Sequence, residues 1–143
     1  MRKLQRIQEE TPDYGNAAAL REALRRFARR TELVTRANGL TPRSYQLLLM
    51  LKTGRGEAGR AGLGELEERL QLGKSTVTEL VLRSEDAGYV RRELDPVRRG
   101  AISVRLTPAG ARRLAKVVAA LGDERARLAE LLGPDERRAA CND

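Results

Sequence analysis

Between residues 64 and 106 the spacing of apolar residues changes once, from helical to alternating, and that change limits what the chain can fold into. Leu66 and Leu70 belong to a short predicted helix at about 64–71. Val77, Leu80 and Val81 belong to a second at about 74–87, and Leu72-Gly73 supplies a tight turn between them. After Gly88, which suits a left-handed helix end, Val90-Arg91-Arg92-Glu93-Leu94 alternates, and so does Ile102-Ser103-Val104-Arg105-Leu106. The turn Asp95-Pro96-Val97-Arg98-Arg99-Gly100 lies between them. Two short helices thus run directly into a β-hairpin with aliphatic residues on one face and arginines largely on the other or at the tip.

The flanking segments are helical as well. Asn16 is a candidate cap for a run to about Ala37 in which Leu20, Leu24, Phe27, Thr31 and Val34 recur at helical spacing, until Asn38-Gly39 stops it. Thr41 as cap and Pro42 at the first helical position open a run through Tyr45, Leu47, Leu48, Leu49, Met50 and Leu51, whose near-continuous apolar character places it centrally. Thr107-Pro108 repeats that signal ahead of Leu114, Val118, Leu121, Leu128 and Leu132. Residues 1–15 read as an arm or a short helix ending in a turn-forming cluster. Gly54, Gly56, Gly59 and Gly62 are expected to form a mobile loop without regular structure. The chain also lacks a Walker loop, because Glu68 stands where the spacing to Gly73-Lys74-Ser75 requires glycine.

A chain of 143 residues can bury a core without disulfides or metal. With 41% hydrophobic residues but only 3% aromatic, that core is aliphatic. The expected fold is therefore mainly α with a small β-hairpin wing, a winged helix-turn-helix in a single domain over residues 1–143. The helices at 16–40 and 107–135 have little left to cover within so small a domain and are assigned to dimerisation, around a DNA-binding lobe at 41–106. Alternatively, Gly122 breaks the last helix and folds its second half back onto the first.

The net charge of +8 favours polyanions, although 20 acidic residues keep the surface mixed in sign. Position points more firmly to double-stranded DNA. The second helix of a helix-turn-helix lies in the major groove with its first turn nearest the bases. Here Lys74 supplies charge for phosphates, while Ser75, Thr76 and Thr78 offer hydroxyls, and threonine methyls can touch thymine. Ser75 or Thr76 could equally serve only as a helix cap. Arg98 and Arg99 at the wing tip suit the neighbouring minor groove or its phosphates. Arg83 has a supporting place, against the DNA backbone or against an acidic partner such as Asp95.

The stretch GELEERLQLGKSTVTELVLRSEDAGYVRRELDPVRRGAISVRLTPAG resembles the core of the MarR family, the multiple-antibiotic-resistance regulators, over roughly residues 16–135. The ELEERL helix, the KSTVTELV recognition helix, the AGYVRRE strand entry, the wing at Asp95-Pro96 and the LTPAG helix start follow the family's order and spacing. The resemblance implies a homodimer paired through its terminal helices that binds a pseudo-palindromic operator, as a repressor or activator, and is often released by a small, frequently phenolic, organic ligand. Such a ligand would lie near Phe27 and Tyr45, both of which also suit simple core filling. The chain departs from the pattern at Arg98 and Gly100, where the family's wing carries a second acid and an arginine, which shifts the groove contact toward Arg99. Ser84 stands where the family commonly has a core leucine, and Leu82 where a polar residue is usual. The family's last helix also continues well beyond Gly133-Pro134-Asp135, so either a shortened dimerisation region or a trimmed chain is expected.

Other function classes find little support. The chain has no histidine and a single cysteine, Cys141, so neither a zinc site, a thiol-rich cluster, an internal disulfide nor an early-helix peroxide sensor is expected, and no cofactor is implied. No signal peptide and no run of about 18 apolar residues is present, which fits a cytoplasmic protein without a membrane partner. No nucleophile motif or evident pair of cleft carboxylates suggests catalytic residues, so an enzyme is not expected. The remaining alternatives are an architectural protein that coats DNA without reading it and a winged-helix module that binds another protein.

Overall fold

The computed structural model describes residues 11–131. In chain order it contains α1 (Tyr14–Ala37), α2 (Pro42–Lys52), β1 (Arg60–Gly62), α3 (Leu63–Leu70), α4 (Lys74–Asp86), β2 (Val90–Leu94), β3 (Ile102–Leu106), α5 (Pro108–Ala120) and α6 (Gly122–Leu131). Thr41 caps α2 by accepting a hydrogen bond from the Ser44 amide at 3.1 Å, and Thr107 caps α5 by accepting one from the Gly110 amide at 3.1 Å. In each case proline fills a position whose own amide would lack a helical acceptor. The cap of α1 is Asp13 rather than Asn16: its carboxylate accepts from the Asn16 amide at 2.9 Å, so the helix starts three residues earlier than expected.

The core is aliphatic. Leu47, Leu48 and Leu51 of α2 are fully buried together with Leu66, Val77, Val81, Val104, Val117 and Leu121, so α2 is the central helix onto which α3, α4, α5 and the sheet pack. Thr31 and Thr35 are buried too, and their hydroxyls donate to the carbonyls of Phe27 and Glu32 within α1. Gly110 allows α5 to cross the start of β2 closely, because a Cβ there would collide with the Tyr89 carbonyl.

The sheet has three strands in the order β1-β3-β2, all antiparallel, where two were expected. Ala61 pairs with Val104, and Val90 with Leu106, on the face turned toward the core. Arg60, Arg105, Ser103 and Glu93 share the opposite face. The glycine-rich segment expected to be a mobile loop is instead tied down. Gly54 lies so close to the Glu57 and Arg60 carbonyls that no Cβ fits, and the Gly59 amide donates to the Leu51 carbonyl at 2.8 Å. The Leu106 amide in turn donates to the Gly59 carbonyl at 2.8 Å. Arg69 donates to the carbonyls of Met50 and Thr53 at 3.0 and 3.1 Å, satisfying the end of α2 that a helix leaves open.

The expected continuous helix over 107–135 is interrupted at Leu121, whose amide already bonds within the last turn of α5, and α6 begins anew at Gly122. α6 packs against α1, where Arg30 and Glu124 form an ion pair at 3.0 Å. Leu20 and Leu24 on α1 nevertheless stay 39% and 38% exposed. The arm at residues 1–10, Leu132, the segment around Gly133-Pro134-Asp135 and Cys141 lie outside the described residues.

Candidate nucleic-acid interface

Helix α4 buries Val77, Leu80, Val81 and Ser84 and turns Lys74, Ser75, Thr78, Glu79, Leu82 and Arg83 to solvent. It begins at Gly73, which has no side chain to cap it, so the first-turn amides stay open and form the positive end of the helix dipole. Neither Ser75 nor Thr76 is the cap. Among the described residues neither hydroxyl has a protein partner, Ser75 being exposed and Thr76 half-buried. The Thr78 hydroxyl is committed: it donates to the Lys74 carbonyl at 2.9 Å, leaving its methyl as the outward group. The turn that presents α4 depends on Gln71, which adopts the left-handed conformation at φ 55°, rather than on Leu72-Gly73 alone.

The wing is fixed at its base and at its tip. At the base Glu93 accepts from Arg60 and from Arg105, both at 3.1 Å, joining all three strands, and these bonds hold its carboxyl below the usual range. At the tip the Asp95 carboxylate accepts from the amides of Val97 and Arg98 at 2.8 and 3.1 Å, and these bonds lower its pKa. Gly100, at φ 78°, then lets the chain return so that the Asp95 amide meets the Ala101 carbonyl at 2.9 Å. Arg98 and Arg99 project from this turn and are exposed. Lys74 and Arg98 line one open groove of about 900 Å³ that lies mainly between β1 with the start of α3 and the wing, where Glu57, Glu65, Glu67 and Glu68 line it as well.

Ion pairing divides the cations of this lobe into two groups. Arg55, Arg60, Arg69, Arg83, Arg92 and Arg105 each face a glutamate. Arg83 has an acidic partner, as one of the two expectations had it, but that partner is Glu79 one turn away rather than Asp95, which is occupied by the wing backbone. Arg92 pairs with Glu85, clamping the wing to α4, and lowers the Glu85 pKa chiefly through that side-chain bond. Lys74, Arg98 and Arg99 have no ion-pair partner among the described residues, and Arg43, Lys52 and Arg91 share that condition although sequence reasoning passed over them. Arg43 lies at the start of α2 and lines a shallow cavity of about 210 Å³ with Thr76, Arg83 and Ser84. Only the packing of α2 on α4 reveals that proximity.

Ser84 is 3% exposed and its hydroxyl has no partner among the described residues, while Leu82 is 40% exposed, so the helix keeps its register with serine inside and leucine outside. The two aromatic residues singled out for a ligand are not brought to one cavity. Phe27 lines a cavity of about 300 Å³ with Arg26, Arg30, Glu124 and Leu128. Tyr45 lies in the core, where burial raises its pKa. Among the described residues no group of histidine, cysteine or acidic side chains is placed to hold a metal, and no helix is long and apolar enough to cross a membrane.

Residues 38–100, the segment that carries α2, α3, α4 and most of the wing, match the sequence profile of the MarR family. No curated protein matches the sequence. Among solved structures the chain is similar to AbsC, a MarR family transcriptional regulator from Streptomyces coelicolor. The two are 25% identical over 91% of this chain and 88% of that one, with a TM-score of 0.71. It is also similar to wild-type MarR from E. coli in its apo form, at 19% identity over 92% and 93% of the two chains and a TM-score of 0.69. A mutant of that protein complexed with operator DNA matches at 18% identity over 89% of each chain, with a TM-score of 0.68. Members of the family are transcriptional regulators, not enzymes. The segment 38–100 is thus similar to the MarR family in sequence, and the chain as a whole shares the winged-helix fold of MarR structures.

Proposed function

We propose that the chain is a dimeric, sequence-specific transcriptional regulator that binds double-stranded DNA in the cytoplasm and acts as a repressor at a pseudo-palindromic operator. The observation that carries this is the distribution of unpaired cations: Lys74, Arg98 and Arg99 surround an uncapped helix start and a rigid wing tip, while the other arginines of α3, α4 and the strand pairings are mostly neutralised. Lys74 and the first-turn amides of α4 hold phosphate. Ser75 and Thr76 read base edges, and Thr78 offers its methyl to thymine. Arg98 and Arg99 engage the minor groove or its rims, whereas Arg83, paired to Glu79, has at most a secondary place.

The apolar stripe of Leu20, Leu24 and Phe27 on α1 is the surface on which a second copy packs, setting two recognition helices about one DNA turn apart, roughly 34–36 Å. A small organic effector of phenolic type has its place in the cavity beside Phe27, next to that stripe, where occupancy would alter the spacing of the two lobes. Tyr45 would act on such a ligand only from behind, as part of the core.

The test is selection of a random duplex library at about 0.15 M salt, a condition under which non-specific phosphate binding is weakened. The expected result is an enriched palindrome with half-sites one turn apart. Retention of duplex without an enriched motif would favour an architectural protein instead, and no retention would leave the wing to a protein partner.

A further inference from the structure

Apart from Leu82, the large hydrophobic side chains that remain exposed among the described residues fall in two places. Tyr14, Leu20, Leu24 and Leu33 are on α1, and Leu94, Val97 and Ile102 are on the wing. The dimer surface uses Leu20 and Leu24, but nothing above uses the wing residues. Leu94 is 78% exposed, Val97 88% and Ile102 40%. Leu94 and Ile102 are cross-strand partners that continue the core face of the sheet outward, and Val97 stands beyond them at the tip.

Three facts show what such a tip can meet. The Asp95 carboxylate takes up the Val97 and Arg98 amides, so the backbone there is fixed and the Val97 side chain is held outward. The same bonds consume the only carboxylate of the turn, and Arg98 and Arg99 directly after Val97 have no described partner. An isopropyl group beside two free guanidinium groups complements a slot with apolar walls and anionic rims. The minor groove is such a slot, lined by sugar C–H groups and edged by phosphates, and apolar side chains are used there as wedges.

We propose that Val97 is the specificity-determining residue of the wing, entering the minor groove beside the arginine contacts and favouring A·T over G·C at that step. The reason is chemical. The minor-groove edge of G·C carries the guanine 2-amino donor, which A·T lacks, and Val97 would cover that donor while offering no acceptor. This rests on the DNA-binding function proposed above.

The experiment uses the full chain and a duplex recovered by library selection, with the wing position mapped by hydroxyl-radical protection. At the mapped step A·T is replaced by G·C, and separately by inosine·C, which presents the major-groove edge of guanine without the 2-amino group. Wild type should lose about tenfold in affinity on G·C, the size of a single mismatched pair, and recover most of it on inosine·C. Val97→Ala should reduce that discrimination to about twofold or less while its salt dependence stays unchanged, since no charge is removed. An equal G·C penalty in wild type and Val97→Ala, or none in wild type, overturns the proposal. A chain that binds no duplex at all removes the DNA-binding function itself, which is a separate outcome.

Discussion

Replacing Lys74 by alanine tests whether ion pairing decides which cations meet DNA. If Lys74, Arg98 and Arg99 each neutralise one phosphate, a dimer makes six such contacts, and log Kd plotted against log salt should have a slope of about 5.4 in magnitude. Lys74→Ala removes one contact per protomer and lowers the slope to about 3.6. Between 50 and 200 mM salt wild type then loses roughly 1,800-fold in affinity, and the variant about 150-fold. Lys74 is exposed and without a partner, so its loss should change stability by no more than about 0.5 kcal/mol.

The matched control is the double variant Glu79→Ala with Arg83→Ala. It removes an exposed cation from the same helix, but one that already faces a carboxylate, and it leaves net charge unchanged. Its slope should equal that of wild type. Fluorescence anisotropy titrations at four or more salt concentrations, on a selected duplex and on a random one, give all three slopes. If the double variant flattened the plot as Lys74→Ala should, or if Lys74→Ala left the slope untouched, pairing in the free protein would not govern the contacts.

Three further outcomes follow from the packing and the turn. Changing Leu20 and Leu24 together to glutamate should give monomers by analytical ultracentrifugation with the fold retained, because both side chains are already partly in solvent within one protomer; an unchanged dimer mass removes this stripe from the interface. Ser84→Ala removes a buried hydroxyl that lacks a partner and should gain about 1 kcal/mol, raising Tm by about 3 °C in a thermal melt; a fall in Tm would mean that the hydroxyl is satisfied. The Asp95 pKa is lowered in the folded chain, so its tip bonds are fully formed above the unfolded carboxylate value near 3.9 and are lost only as pH falls through the lower folded value. The Val97 amide resonance should report that transition in an acid titration, and a midpoint at or above about 3.9 would contradict the assigned bonds.

What could be read from the sequence, and what could not, divides by distance along the chain. Helix α4 and the β2–β3 hairpin were legible because Val77, Leu80 and Val81 repeat at helical spacing and Val90 and Val104 sit in alternating runs, all signals contained within a few residues. Strand β1 was not. It has three residues, one core side chain at Ala61, and glycines on either side that disfavour a strand locally. It exists because β3, more than forty residues onward, presents Val104 and Ser103 as pairing partners. The Asp13 cap of α1 and the Glu79 partner of Arg83 were within local reach but were passed over for Asn16 and Asp95.

The functional pattern depends on the same long-range pairing. A net charge of +8 does not say which arginines are available, and residue type does not either. Arg60 and Arg105 are chemically identical to Arg98 and Arg99, yet both converge on Glu93 and thereby brace the wing instead of extending its positive field. Arg60 reaches Glu93 only because β1 lies beside β3, so the strand that the sequence concealed is also what separates structural arginines from free ones. If the chain binds DNA as proposed, the glycine-rich segment has a mechanical role there. By holding Arg60 under the wing it fixes the base of the hairpin, and a fixed base lets the Asp95 turn present Val97, Arg98 and Arg99 in one orientation rather than several.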